Sequence, residues 1–581
     1  MKRVSVFFLC FFILTACVNT QEKEIKLKIV QTSDIHGNFY PHDFILQREA
    51  TGSLARVYAL VQKNREVYKD NLILLDNGDI LQGQPTAYYY NYIDTVSPHV
   101  AAEMMNFMGY DAGNMGNHDV ETGRTVFDRW AGDCHFPVLG ANIIETASGN
   151  THFKPYQVME RDGVKIVVLG MITPAIPVWL SENLWQGLRF DDMEDTARKW
   201  MKTIREKEKP DLIIGMFHAG QDALLMGGKY RENASIDVAR NVPGFDIVLM
   251  GHDHARECKK VVNVEGDSVL VIDPASNGLV VSDIDVTLKL RNGKVVDKKI
   301  EGRLSDTKDY GISEDFMKHF TPQYGTIQDF VSKKIGRFTE TISTRPAYFG
   351  SSAFIDLIHT LQLEISGAEI SLAAPLSFDT EIKEGEVFVN DMFNLYKYEN
   401  MLYTMKLSGK EVHDALEMSY DLWTNRMQSA DDHLLLFREK RREGAADRAS
   451  FKNFSFNFDS AAGIIYTVDV TKPAGEKVTI ISMADGKPFD MNKIYTVALN
   501  SYRGNGGGEL LTKGAGISQD DLKGRIINST DKDLRYYLMQ YIEQRKVITP
   551  HALGQWKFIP EKWTVPASKR DYEYLFGKTD K

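Results

Sequence analysis

The chain has 581 residues, enough for two or three domains with sizeable cores. Its hydrophobic share of 43% and charged share of 25% are ordinary for a globular protein and exclude a disordered or fibrous chain. A formal net charge of -10 excludes a general binder of polymeric nucleic acid, which needs a basic face to neutralise phosphates, but leaves single nucleotides open as ligands.

At the N-terminus, Lys2 and Arg3 precede the apolar run Val4 to Ala16. The run is too short to cross a bilayer as a helix and ends in small residues, which predicts a secretion signal over 1–16. The ending Leu14-Thr15-Ala16-Cys17 resembles a bacterial lipobox. That resemblance implies export, cleavage before Cys17 and a lipid anchor on it, holding the protein at the cell envelope on the periplasmic or outer face. Residues 17–24 read as a polar tether. Cys10 leaves with the signal, and Cys134 and Cys258 are too few for a disulfide framework and lack zinc-thiolate spacing.

Residues 25–312 alternate short β-rich runs with amphipathic helical stretches, which predicts a layered α/β domain. Leu27 to Gln31, Leu72 to Leu75, Ile166 to Leu169, Leu212 to Met216 and Ile247 to Met250 read as strands; Ser53 to Val67 and Met193 to Lys207 read as helices. The charged, helical stretch Ser313 to Lys334 reads as a connector, assigned to 313–337. An α+β domain is expected over 338–560, with a helix at Ala353 to Ile365 and strands at Met401 to Leu407, Ile464 to Val470 and Ile494 to Leu499; 561–581 is set apart as a tail. The basic run Arg438 to Arg448 lacks aromatic residues and reads as a solvated helix or loop. The Gly-rich run after Arg503 has no following Lys-Ser or Lys-Thr and is no Walker loop.

Five turns carry the chemistry: Thr32-Ser33-Asp34-Ile35-His36-Gly37, Asn77-Gly78-Asp79, Gly113 to Glu121 (GNMGNHDVE), Phe217-His218-Ala219-Gly220 and Gly251-His252-Asp253-His254. Each sets Asp, Asn or His beside glycine, and most follow directly on a predicted strand. Open α/β sheets collect ligands at the carboxyl ends of their strands, so these turns should converge. Oxygen and imidazole donors without thiolate suit zinc, manganese, iron or cobalt. Asp34, His36, Asp79, Asn117, His218, His252 and His254 are too many ligands for one ion and enough for two divalent ions sharing a carboxylate. Two ions about 3.5–4 Å apart activate water and clamp a phosphoryl group. His118 is left as a free imidazole to assist the leaving oxygen.

In composition and order these turns resemble the five motifs of calcineurin-like metallophosphoesterases. The resemblance implies a four-layer α/β sandwich in which Asp34, His36 and His254 hold one metal, Asn117, His218 and His252 the other, Asp79 bridges them, and His118 is the catalytic imidazole. Relatives often orient that histidine with an aspartate three residues on; here the position is Glu121, and Asp119 lies adjacent, so both are candidates.

The two-domain layout further resembles the secreted 5′-nucleotidase and 2′,3′-cyclic-nucleotide phosphodiesterase family, whose α+β C-terminal domain sandwiches the nucleobase between two aromatic rings. Tyr396-Lys397-Tyr398-Glu399-Asn400 and Asn500-Ser501-Tyr502-Arg503-Gly504-Asn505 match such segments, placing Tyr398 and Tyr502 as the rings. The resemblance also implies domain rotation about the connector. Where 5′-monophosphate enzymes carry an Asn-Gly-Gly-Gly-Ile-Arg-like segment, this chain has Ala373-Ala374-Pro375-Leu376-Ser377-Phe378, and Gly508 stands where they tend to have aspartate. Those features, with Phe456-Asn457-Phe458-Asp459, look like the cyclic phosphodiesterase/3′-nucleotidase branch. The expected activity is opening of 2′,3′-cyclic nucleotides and hydrolysis of the resulting 3′-monophosphates. A 5′-nucleotidase or UDP-sugar diphosphatase is the alternative, and a non-catalytic surface nucleotide-binding protein the alternative of another class. The sequence leaves oligomeric state open.

Overall fold

The computed structural model describes residues 22–221, 225–438 and 450–577. The signal, Cys17 and nearly all of the basic run 438–448 lie outside the described residues. The expected tether ends early, because Glu22–Thr32 is already a continuous strand. Among the described residues, no helix is long and apolar enough to cross a membrane.

Two six-stranded sheets face each other in the first domain. The first runs in the order 294–306, 280–291, 22–32, 72–76, 112–114, 138–139; the second runs 256–262, 268–274, 247–249, 212–218, 164–172, 156–161. Alternate residues of each central strand meet between the sheets: Leu27, Ile29, Ile73 and Leu75 from one, Ile166, Val168, Ile214, Met216 and Leu249 from the other, all fully buried. The opposite faces bury under helices. Leu54–Tyr68, Val100–Met108 and Arg124–Asp133 cover the first sheet, and Met193–Lys207 with Ser235–Asn241 covers the second. This helix/sheet/sheet/helix order is the expected four-layer sandwich. The central strands of each sheet are parallel, so their carboxyl ends share one edge.

The predicted connector is helical, as Glu314–His319 and Thr321–Val331, opened by Ser313, whose hydroxyl accepts the Phe316 N–H. Its apolar residues Phe316, Phe320, Ile327 and Val331 join the same core as Val57 and Leu60. The helices are thus docked on the first domain, and the chain crosses to the second at Lys334–Phe338.

The second domain has a five-stranded sheet, 460–462, 370–373, 494–500, 401–408, 526–533, and a three-stranded one, 478–483, 464–469, 556–559. Helices Ala353–Ser366, Gly409–Trp423 and Leu534–Arg545 pack against them. The stretch set apart as a tail is no tail: Glu561–Phe576 is a helix whose Ala567 and Leu575 are buried in the same core as Trp423 and Trp556.

Candidate active site

The five turns meet at the carboxyl edge of the two sheets. Asp34 and His36 follow the strand Glu22–Thr32, Asp79 follows Leu72–Asp76, and Asn117 follows Ala112–Asn114. His218 ends Leu212–His218, while His252 and His254 follow Ile247–Leu249. Five of these seven residues, Asp34, His36, Asp79, His252 and His254, have φ between 49° and 76°, a left-handed backbone that side chains other than glycine seldom adopt. Such conformations persist only where the surroundings enforce them, and they gather at functional sites. The glycines between them allow close approach. A Cβ on Gly116 would sit 2.1 Å from Asp79 Oδ1, and one on Gly251 would sit 2.2 Å from Ser33 Oγ.

The donor atoms converge in two groups. Asp34, His36 and His254 form one, and Asp34, Asp79 and His218 form the other, each with its ligand atoms within 4.8 Å of one another. His36 Nε2 lies 3.0 Å from His254 Nε2, and His254 Nε2 lies 3.3 Å from Asp34 Oδ1. His218 Nε2 is 3.2 Å from Asp79 Oδ2 and 3.1 Å from Asn117 Oδ1, and His252 Nδ1 is 2.7 Å from the same Asn117 oxygen. Two imidazole nitrogens pointed at each other beside a buried carboxylate leave facing lone pairs, the environment a cation satisfies. The His36 Nδ1, buried without a hydrogen-bond partner, agrees with a ring placed for its other nitrogen. The residues present therefore fit a pair of divalent ions.

The surroundings fix these rings. His218 Nδ1 faces the Asn77 carbonyl at 2.7 Å, which places its proton there and turns Nε2 to the cluster. Asn77 donates to the Phe217 carbonyl and accepts from Asn114, so the strand-end turns are laced together. Burial by itself would raise the Asp34 carboxyl, yet His218 and His254 hold it at about 2. Asp79 is likewise buried and held well below the carboxylate range by His218 and His118. His36 is pushed down to about 3 by burial and the adjacent His254. Burial would lower His218 and His118, but facing carboxylates outweigh it: Asp79 and Asp34 raise His218 to about 10, and Asp79 and Glu121 raise His118 to about 10.

His118 stands beside this cluster, its ring 5.4 Å from that of His36. Its Nδ1 is 2.5 Å from Glu121 Oε2, across one turn of the short helix Asn117–Glu121. Asp119 does not share that role, a correction to the expectation from sequence. Its two oxygens accept backbone N–H groups from Asp79, Ile80, Leu81 and Gly116, bracing the turn that carries Asp79.

A cavity of about 260 Å³ leads from the cluster into the second domain, with Asn117, His118 and His252 at one end and Phe456 and Tyr502 at the other. Tyr398 and Tyr502, the two rings expected from sequence, both line this cavity, and a third ring, Phe456, stands 6.1 Å from Tyr502 and nearly perpendicular to it. Tyr398 also lines, with His118, an adjoining open cleft of about 740 Å³. Behind the rings, buried Arg503 pairs with Asp459 and donates to the Phe456 carbonyl, bracing the loop. Three lining residues carry no role that sequence alone suggests. Phe456 stands out there only as a marker of the family branch, whereas Trp179 and Glu232 sit in segments without a metal-type motif.

Residues 27–256 match the family model described as calcineurin-like phosphoesterase, and residues 334–513 match that of the 5′-nucleotidase C-terminal domain. The chain belongs to the calcineurin-like phosphoesterases that carry a 5′-nucleotidase C-terminal domain. It is a phosphoester hydrolase. Among its relatives, the trifunctional nucleotide phosphoesterase protein YfkN of Bacillus subtilis is 28% identical over 93% of this chain, which spans only 39% of that protein's length. A 2′,3′-cyclic-nucleotide 2′-phosphodiesterase/3′-nucleotidase of Yersinia enterocolitica is 25% identical over 92% of this chain and 88% of its own. A Staphylococcus aureus structure described as a 5′-nucleotidase superposes with a TM-score of 0.73 at 21% identity, covering 92% of this phosphoesterase and all of that chain, a likeness of fold.

Proposed function

We propose that the protein opens 2′,3′-cyclic nucleotides to 3′-monophosphates and then removes the 3′-phosphate, using the two groups of donors as a two-metal site. The observation that carries this reading is one cavity, about 260 Å³ in volume, lined both by Asn117, His118 and His252 of the cluster and by the aromatic rings Phe456 and Tyr502 of the second domain. Divalent cations held by Asp34, His36, His254, Asp79, Asn117, His218 and His252 would supply Lewis acidity and an activated water.

The chain's own residues do the rest. Phe456 and Tyr502 meet the base as a face and an edge, since their planes are nearly perpendicular, and an aromatic contact of this kind tolerates any base. His118 keeps a proton on Nε2 while Nδ1 is held by Glu121, and that proton passes to the departing ribose oxygen. The cavity lining contains no arginine or lysine among the described residues, and Leu376 of the Ala-Ala-Pro-Leu segment stands in its wall. The arginine of the segment that 5′-monophosphate enzymes carry thus has no counterpart in this cavity, although Arg48 and Lys397 line the adjoining cleft. The relatives named as 2′,3′-cyclic-nucleotide enzymes support the cyclic-nucleotide reading.

Export with a lipid on Cys17 belongs to this proposal and rests on Lys2-Arg3, the apolar run and the Leu-Thr-Ala-Cys ending. The deciding experiment is phosphate release from 2′,3′-cyclic AMP, 3′-AMP, 5′-AMP and UDP-glucose, with manganese- or zinc-loaded protein and an EDTA control. For the cyclic substrate, release requires both steps. Preference for the first two substrates supports the reading; preference for 5′-AMP moves it to 5′-nucleotidase.

A further inference from the structure

His252 is gripped on three sides. Its Nδ1 faces the cluster, 2.7 Å from Asn117 Oδ1, while Nε2 points away and lies 3.0 Å from Glu232 Oε1. The Trp179 ring covers one face, with centroids 5.6 Å apart and planes tilted by 33°. Trp179 is itself tied to the second domain, its carbonyl accepting from Asn505 Nδ2 at 3.3 Å. Glu232 is mostly buried, with a side-chain exposure of 16%, and no positively charged side chain pairs with it among the described residues.

A neutral imidazole has one N–H and one lone pair. A carboxylate at Nε2 can only accept, so it places the proton on Nε2 and leaves the Nδ1 lone pair directed at the cluster. Without that carboxylate both tautomers are open and the ring is free to turn. We infer that Glu232 is a positioning residue that holds His252 in the tautomer and orientation needed to bind one of the two metal ions. This inference rests on the two-metal reading above. The arrangement parallels that of His218, whose Nδ1 is fixed by the Asn77 carbonyl, but here a side chain from a loop 20 residues upstream does the work. Carboxylates that back a ligating histidine generally strengthen metal retention by roughly 10–100-fold.

The test uses the full mature chain as wild type, Glu232→Ala, Glu232→Gln and His252→Ala, with melting curves to show that each folds. Bound zinc or manganese is counted after dialysis, then titrated against a chromogenic chelator. The expected result is two ions in the wild type and one ion lost roughly 10–100-fold more readily from Glu232→Ala. Glu232→Gln, whose amide oxygen still accepts from Nε2, should recover much of the affinity, and His252→Ala should lose the same ion outright. Equal retention by the wild type and Glu232→Ala overturns the positioning role while leaving the metal site standing. If the folded wild type takes up no ion, the two-metal reading falls, and this inference with it. Should Glu232→Ala fail to fold, Glu232→Leu, closer in size and without an acceptor, takes its place: easier loss of one ion supports the positioning role, and wild-type retention overturns it.

Discussion

At the scale of single residues, the site separates groups that adjacent sequence positions confuse. Asp119 and Glu121 are both acidic and both near His118, but the helical turn from 117 to 121 brings only Glu121 back to the imidazole, while Asp119 caps backbone N–H groups. Replacing His118 by alanine should lower kcat by about 10²–10⁴-fold with bound metal unchanged, the usual worth of a positioned proton donor. Glu121→Gln should show a smaller loss and a displaced pH profile. Asp119→Ala should instead lower the melting temperature, because four backbone donors lose their acceptor. Asp79→Asn should abolish nearly all turnover in a folded protein; substantial residual activity would remove Asp79 as the bridging ligand. In the substrate cavity, Phe456→Ala should weaken nucleotide binding by the ~1–3 kcal/mol of one stacking face, read as a rise in KM, and Tyr398→Ala should cost less.

Among the secondary-structure elements, those with strong periodicity were legible. Met193–Lys207 is a helix as its apolar spacing predicts, opened by Asp192, which accepts from the Glu194 and Asp195 N–H groups. The helix Glu561–Phe576 was not legible, since Pro566 interrupts it and its buried stripe is thin. The helix Ala353–Ser366 carries a testable consequence in His359. That ring is fully buried between the Ser371 and Ser460 hydroxyls, and burial pushes it down to about 3. A histidine depressed in the folded state adds stability that is complete above its unfolded value near 6.5 and is lost as pH falls toward 3. Between pH 6.5 and 5 this amounts to about 2 kcal/mol. Denaturant unfolding at pH 7 and pH 5 should therefore show a smaller acid loss for His359→Gln than for the wild type. Equal losses would mean that the wild-type ring does not resist protonation.

Across the whole molecule, the candidate cleft is shared between two domains whose contact includes Tyr88, buried in the second domain's core against Phe393, and several polar pairs. Tyr92 donates to Glu399 at 3.2 Å, Lys523 pairs with Glu182, and Asn505 reaches the Trp179 carbonyl. The helices Glu314–His319 and Thr321–Val331 pack into the first domain, with Phe330 also touching the second domain's core, so the hinge expected for a rotation narrows to about Ser332–Lys334 within the connector expected from sequence. If nucleotides enter and leave by a parting of the domains, as the family resemblance implies, Glu182→Cys with Lys523→Cys, joined by a short bis-maleimide, should slow turnover roughly tenfold or more while leaving metal content unchanged. Turnover untouched by the linker would show that this arrangement admits and releases nucleotides as it stands.

What the sequence determined by itself was local. A strand followed within a few residues by Gly with Asp, Asn or His encodes both a tight turn and its ligand type, so the donor set and the shared sheet edge follow from the order of residues alone. Only the tertiary structure decided the partnerships: Glu121 over Asp119, Phe456 beside Tyr502, and Glu232 behind His252. The physical reason is distance along the chain. Phe456 and Tyr502 are brought together by sheet order, and His118 meets its nucleotide cavity only where two separately folded cores abut, contacts for which no short run of residues carries a signal.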